Sequence, residues 1–188
     1  MRERAHLFGS ALFFLAGCAS FSFLAWVRDF ERGGYRAAEP YFQYPVVVFS
    51  RQALLRNDAL GNGAFGVSRG VGGQRSHQGV DLLTRVGNPI FASKSGRVTY
   101  AGDDPGYGRY VEILHPDGTS TRYAHLSELG AFQGEWVSVG RPIGLSGKTG
   151  NAQNPHILPH LHFEIRENGQ AADPLAGRLD PSIQLTNV

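Results

Sequence analysis

The sequence predicts a mainly β protein: one antiparallel, sandwich-like sheet domain preceded by a single apolar helix at the N-terminus. Three observations lead there. Twenty-five glycines and ten prolines among 188 residues interrupt the chain too often for long helices and call for many tight turns. Short runs rich in valine, tyrosine, threonine and isoleucine recur between Gly96 and Ile165, each bounded by turn residues, as in consecutive strands. The one long apolar stretch stands by itself at the N-terminus. At 41% hydrophobic and 18% charged residues, the chain has room for one ordinary domain with a short appendage, and not for two domains.

Leu7 to Val27 is a run of 21 residues without a formal charge, flanked by Arg2 and Arg4 on one side and by Arg28 and Asp29 on the other. About 20 apolar residues in a helix cross roughly 30 Å of hydrocarbon, so the stretch is expected to be a membrane anchor. Two alternatives compete: a cleaved signal peptide, and a lipoprotein signal, because Leu15-Ala16-Gly17-Cys18 resembles a bacterial lipobox. The residues after Cys18, including Phe21, Phe23, Leu24 and Trp26, stay apolar, which favours the anchor. Arginines on both flanks leave the orientation open. On any of these readings the domain is expected at the cell envelope, facing the periplasm or exterior.

Arg28 to Ala38 is polar and reads as a linker, and the aromatic stretch from Tyr41 to Phe49 reads as a first strand packed on the domain. Residues 28–50 thus form linker and first strand, and 51–188 the domain proper. Asn57 to Gly73 is a glycine-rich loop. Its Gly61-Asn62-Gly63-Ala64-Phe65-Gly66 has the letters of a dinucleotide-binding turn but neither the strand before nor the helix after that such a cradle needs. Strands follow over Gly96–Ala101, Tyr110–Leu114, Thr119–His125, Trp136–Val139, Pro142–Leu145 and His160–Ile165. The second and third of these flank the turn His115-Pro116-Asp117-Gly118 as a hairpin. Gly147-Lys148-Thr149 lacks the opening glycine of a phosphate-binding loop, since Pro142 stands there.

The chain is mildly basic, with net charge +2 and pI near 8.9, and its arginines are scattered, so it carries no nucleic-acid footprint. Its one cysteine, Cys18, lies in the apolar stretch, which leaves histidines and carboxylates as the metal ligands of the domain. Five of the seven histidines fall between His115 and His162. In a strand, His160, His162, Glu164 and Arg166 share one face while Leu161, Phe163 and Ile165 share the other. Paired imidazoles on a strand backed by a core are one way to build a metal site, though a solvated polar face has the same pattern. His77 and Asp81, four apart around Gly79, could converge on the same cation; an exposed turn is the alternative. His125 lies within RYAHLSEL, where Tyr123 and His125 are expected on one strand face.

The blocks HQGVD, GRVTYAG, GYGRYVEILHPDGTSTRYAHLSEL, GEWVSVGRPIGLSGKTGNA and PHLHFEIR closely resemble, in this order, those of the M23 or lysostaphin-type zinc metallopeptidases, also called the LytM domain. The resemblance covers about Arg75 to Pro174. It implies that His77, Asp81 and His162 bind Zn²⁺ and that His125 and His160 are catalytic. It further implies a metalloendopeptidase that hydrolyses peptide cross-links of bacterial cell-wall peptidoglycan through zinc-activated water assisted by two histidines, with stem peptides or cross-bridges as substrate. The alternative is a noncatalytic domain of the same fold that binds and activates a cell-wall amidase. Such domains have typically lost ligands or catalytic histidines, whereas all five positions are present here. The resemblance assigns nothing to His115 or His156, and Glu164 reads either as a support for a site imidazole or as half of a simple salt bridge with an arginine.

Overall fold

A computed structural model describes residues 25, 27–47 and 54–182. Apart from Ala25 and Val27, the apolar stretch expected as an anchor, with its lipobox-like segment, lies outside the described residues. Among the described residues no helix is long and apolar enough to cross a membrane. The chain forms two compact units, Met1–Pro40 and Tyr41–Val188. In the first, helix α1 runs over residues 27–38, where the sequence suggests a linker. Arginine, glutamate and alanine, with no proline, outweigh the two central glycines there.

The second unit is mainly β, with short 3-10 turns at Val71–Gly73 and Gly150–Gln153. Its strands are β1 (Asn57–Asp58), β2 (Gly61–Asn62), β3 (Ser68–Arg69), β4 (Arg75–Ser76), β5 (Val80–Leu83), β6 (Pro89–Phe91) and β7 (Gly96–Asp104). They continue as β8 (Gly108–Leu114), β9 (Thr119–Leu129), β10 (Trp136–Val137), β11 (Pro142–Ser146), β12 (His160–Glu167) and β13 (Gln170–Ala172). β1 pairs with β2 and β3 with β4, so the expected glycine-rich loop holds one short hairpin and the first strand of a second. The other nine form one antiparallel sheet, ordered β10-β7-β8-β9-β11-β6, with β12 also on β9 and carrying β5 and β13.

This sheet forks at β9. Residues up to Ala124 pair with β12, whereas Leu126 to Leu129 pair with β11, and β8 takes the opposite edge. His125 stands at the fork with φ +64°. The core lies on one face: Val80, Leu82, Val111, Ile113, Tyr123, Leu161, Phe163 and Ile165 are all fully buried. Burying each such side chain stabilises the fold by about 1.5–3 kcal/mol.

The stretch 41–47 packs on the domain as expected but not as a strand. Phe42 and Val46 are buried in the core, yet among the described residues the only ladder contact of this stretch is a single parallel bridge from Phe42 to Leu179. Pro45 has no N–H to donate to a ladder. His115 closes the β8–β9 hairpin as a core histidine, 2.9 Å from both the Ser95 carbonyl and Thr121 Oγ1.

Candidate metal centre

Alternation along β12 places Leu161, Phe163 and Ile165 in the core and turns His160, His162 and Glu164 to the other face, where all three are also buried. Asp81 on β5 sits directly across the ladder from His162. His77 lies in the turn before β5, held by a 2.9 Å backbone bond to the Val67 carbonyl. That turn presses on β12: a Cβ at Gly79 would fall 2.3 Å from the Phe163 carbonyl oxygen, so only glycine fits.

His77 Nε2, Asp81 Oδ1 and His162 Nδ1 form a triangle with every edge 3.0 Å. Their outer atoms fix what points inward. His77 Nδ1 lies 2.8 Å from the Ala64 carbonyl, and His162 Nε2 lies 3.1 Å from Glu164 Oε1. Both partners can only accept, so each neutral imidazole spends its N–H outward and turns a lone pair into the triangle. Arg69 Nη2 also approaches His77 Nδ1 at 3.3 Å, but it is itself a donor, so the nearer carbonyl sets the tautomer. Three buried lone-pair atoms facing one another are satisfied by a cation. Zinc bonds of about 2.0–2.1 Å in a tetrahedron separate the ligand atoms by roughly 3.3 Å, and this triangle is only slightly tighter. The donor set fits the ion.

Charge is arranged around this triangle. Burial works to raise the Asp81 carboxyl, but contact with His162 and His77 holds it well below the usual carboxylate range, so it stays ionised. Its other oxygen accepts from Arg56 Nε at 3.1 Å and Arg69 Nη2 at 2.9 Å. Burial disfavours the His162 cation, yet Asp81 and Glu164 raise its pKa above the ordinary value, and a proton competes with a metal ion for Nδ1. Glu164 is held at about 2 against the effect of its burial, chiefly by His162, with Tyr107 and Arg122 also lowering it. Tyr107 donates to Glu164 Oε1 at 2.7 Å, and Arg166 to Oε2 at 2.7 Å. Both sequence readings of Glu164, imidazole support and salt bridge, therefore hold at once.

His125 and His160 face the same space. His160 Nδ1 donates to the Leu158 carbonyl at 2.7 Å, and its Nε2 lies 3.7 Å from Asp81 Oδ1. His125 Nδ1 donates to the Thr149 carbonyl at 2.9 Å, and its ring centre is 5.0 Å from that of His160 and 5.9 Å from that of His162. Burial, then the neighbouring imidazoles, push His125 down to about 3. Burial also lowers His160, opposed in part by Asp81. Both rings are neutral near pH 7 and able to take up a proton through Nε2.

One expectation is corrected. Tyr123 and His125 do not share a face: Tyr123 is in the core against Phe163, with ring centres 5.4 Å apart, while His125 is on the site face. Positive φ at the fork breaks the alternation. The structure also adds Arg56, Arg69, Tyr107 and the Thr149 carbonyl to the site, none of which the sequence reading singled out. The only hint of the arginines is that Arg69 lies in the glycine-rich stretch before His77 and Arg56 immediately precedes it. His156 is exposed, outside the cluster.

Comparison with known proteins places this geometry. A match to peptidase family M23 spans residues 75–174. The DD-carboxypeptidase/endopeptidase Mpg of Neisseria meningitidis is 42% identical over 112 residues, covering 60% of this chain; the chain spans only 25% of that relative's length. Among solved structures, a zinc-containing peptidase from Vibrio cholerae superposes with TM-score 0.60 at 26% identity, over 74% of this chain and 41% of that one. The catalytic domain of lysostaphin from Staphylococcus simulans gives TM-score 0.52 at 34% identity, over 59% of this chain and 85% of that one. The matched segment exceeds half of the 188 residues and includes all five converging side chains, and the chain belongs to peptidase family M23.

Proposed function

We propose that the domain is a zinc-dependent endopeptidase that cuts peptide cross-links of bacterial cell-wall peptidoglycan, with His77, Asp81 and His162 holding the ion. His125 and His160 are its proton-handling groups. The carrying observation is the 3.0 Å triangle of inward-facing donor atoms with two further neutral imidazoles beside it. When bound, zinc polarises a scissile carbonyl and lowers the pKa of water. The chain's own residues do the remainder. The carbonyls of Ala64, Thr149 and Leu158 and the carboxylate of Glu164 fix four imidazole tautomers. His125 and His160 each keep an unprotonated Nε2 that can accept a proton from attacking water and return it to the leaving amine. A further relative, the peptidoglycan DD-endopeptidase ShyA of Vibrio cholerae, 36% identical over 103 residues that cover 55% of this chain and 23% of that relative, supports peptidoglycan as the substrate class, and the apolar stretch 7–27 would keep the domain at the envelope, where that polymer lies.

The test is digestion of purified peptidoglycan by the zinc-loaded chain, followed by mass analysis of the fragments. Cross-linked muropeptides should disappear and free amines appear, with glycan strands intact. Intact cross-links after incubation with protein carrying one zinc per chain would refute the reading.

A further inference from the structure

Arg56 and Asp58 lie ahead of the segment matched to the family, which begins at residue 75. Their placement is specific. Arg56 is 3% exposed, and its Nη1 lies 2.7 and 2.8 Å from the two Asp58 oxygens. Withdrawing such a pair from water costs several kcal/mol per ion, so its net contribution to stability is poor reason to place it here. Each partner, however, reaches a different part of the site.

Arg56 holds Asp81 twice, through Nε to Oδ2 at 3.1 Å and through its backbone N–H to the Asp81 carbonyl at 2.9 Å. Asp58 Oδ2 accepts the Leu158 N–H at 3.0 Å. The carbonyl of that same Leu158 receives the His160 Nδ1–H at 2.7 Å. Leu158 is thereby held at both its N–H and its C=O, and Pro159 stiffens the step into β12. A continuous polar chain runs Asp81, Arg56, Asp58, Leu158, His160. Its two ends lie 3.7 Å apart, Asp81 Oδ1 to His160 Nε2.

We propose that Arg56 and Asp58 are positioning residues, a relay that fixes the His160 imidazole relative to the carboxylate of Asp81. This rests on the assignment of His160 as a proton-handling group, and it adds to that reading a part of the chain outside the family core. Removing Asp58 leaves His77, Asp81 and His162 in place but frees the Leu158 backbone on which His160 Nδ1 rests. The effect falls on turnover more than on substrate binding or zinc content. Supports of this kind typically account for about 10–100-fold in affinity or activity.

The test compares Asp58→Ala and Asp58→Asn in the full chain, using a soluble cross-linked muropeptide, zinc titration against a chelator, and the Nδ1–H resonance of His160 in ¹⁵N-histidine-labelled protein. Asp58→Ala should lower kcat about 10–100-fold, with KM and zinc content within twofold of wild type and the His160 Nδ1–H signal broadened by exchange. Asp58→Asn keeps an oxygen for the Leu158 N–H and should recover most of the turnover and the sharp signal. Wild-type kcat in Asp58→Ala overturns the relay. So does a loss that merely follows the folded fraction while the folded molecules keep the wild-type His160 signal. Should the wild-type protein cleave nothing, the functional reading fails, while the resonance and the zinc titration still decide whether Asp58 positions His160.

Discussion

His125 holds a left-handed backbone, φ +64°, at a position where a side chain other than glycine costs on the order of 1–3 kcal/mol. What that strain achieves is orientation: the residue after Ala124 would otherwise enter the core beside Tyr123. The resulting separation of roles is open to test. His162→Ala removes one corner of the donor triangle and should abolish both zinc retention, measured by metal analysis, and hydrolysis. His125→Ala should retain most of the zinc while losing on the order of 100-fold or more in kcat; wild-type cleavage by that variant would refute the assignment. The pair His160 and His162 is legible in the sequence because strand period two governs it. His125 is not, because its facing depends on a fork between strands distant in sequence.

At the scale of elements, β12 carries the site on one face and the core on the other, so damage to either is felt by both. Gly79→Ala should destabilise the domain by on the order of 2 kcal/mol and weaken zinc retention together, because the added methyl meets the Phe163 carbonyl at 2.3 Å. Denaturant unfolding and metal analysis would read the two losses, and a variant with wild-type values for both would contradict the packing argument. The β8–β9 hairpin has its own buried ion pair, Lys94 Nζ to Asp117 Oδ2 at 2.6 Å. Burial works to raise the Asp117 carboxyl, but Lys94 and Thr119 hold it below the usual range. A carboxyl lowered on folding stabilises above its unfolded pKa of about 3.9, and that contribution fades as pH falls through the folded value. Asp117→Asn, which leaves the Lys94 ammonium buried, should cost about 3–5 kcal/mol near pH 7 and progressively less in acid. A difference from wild type that grows as pH falls would reverse this assignment. The hairpin's turn is plain in His115-Pro116-Asp117-Gly118; its partner Lys94 is not, since no local pattern ties it to Asp117.

For the whole molecule, an ion held by the triangle would link metal binding to folding, because the three donors come from one turn and two strands that meet only in the folded state. Free zinc at 1,000 times its dissociation constant adds about 4 kcal/mol to stability, and a domain of this size gains roughly 2–4 °C in Tm per kcal/mol. Chelation should therefore lower Tm by roughly 8–16 °C, reversed by restoring zinc; an unchanged Tm would mean the triangle holds no ion in the native protein. By itself the sequence determined the β class, most strands, the hairpin turn and, through the spacing of its blocks, the family, because these rest on local periodicity, turn chemistry and motif order. Only the tertiary structure decided that His125 turns to the site, that Arg56 and Arg69 grip Asp81, and that the stretch 41–47 enters the core without forming a strand. Those outcomes depend on which distant segments share a ladder and on charges brought out of water together, and neither quantity is written in any local stretch of chain.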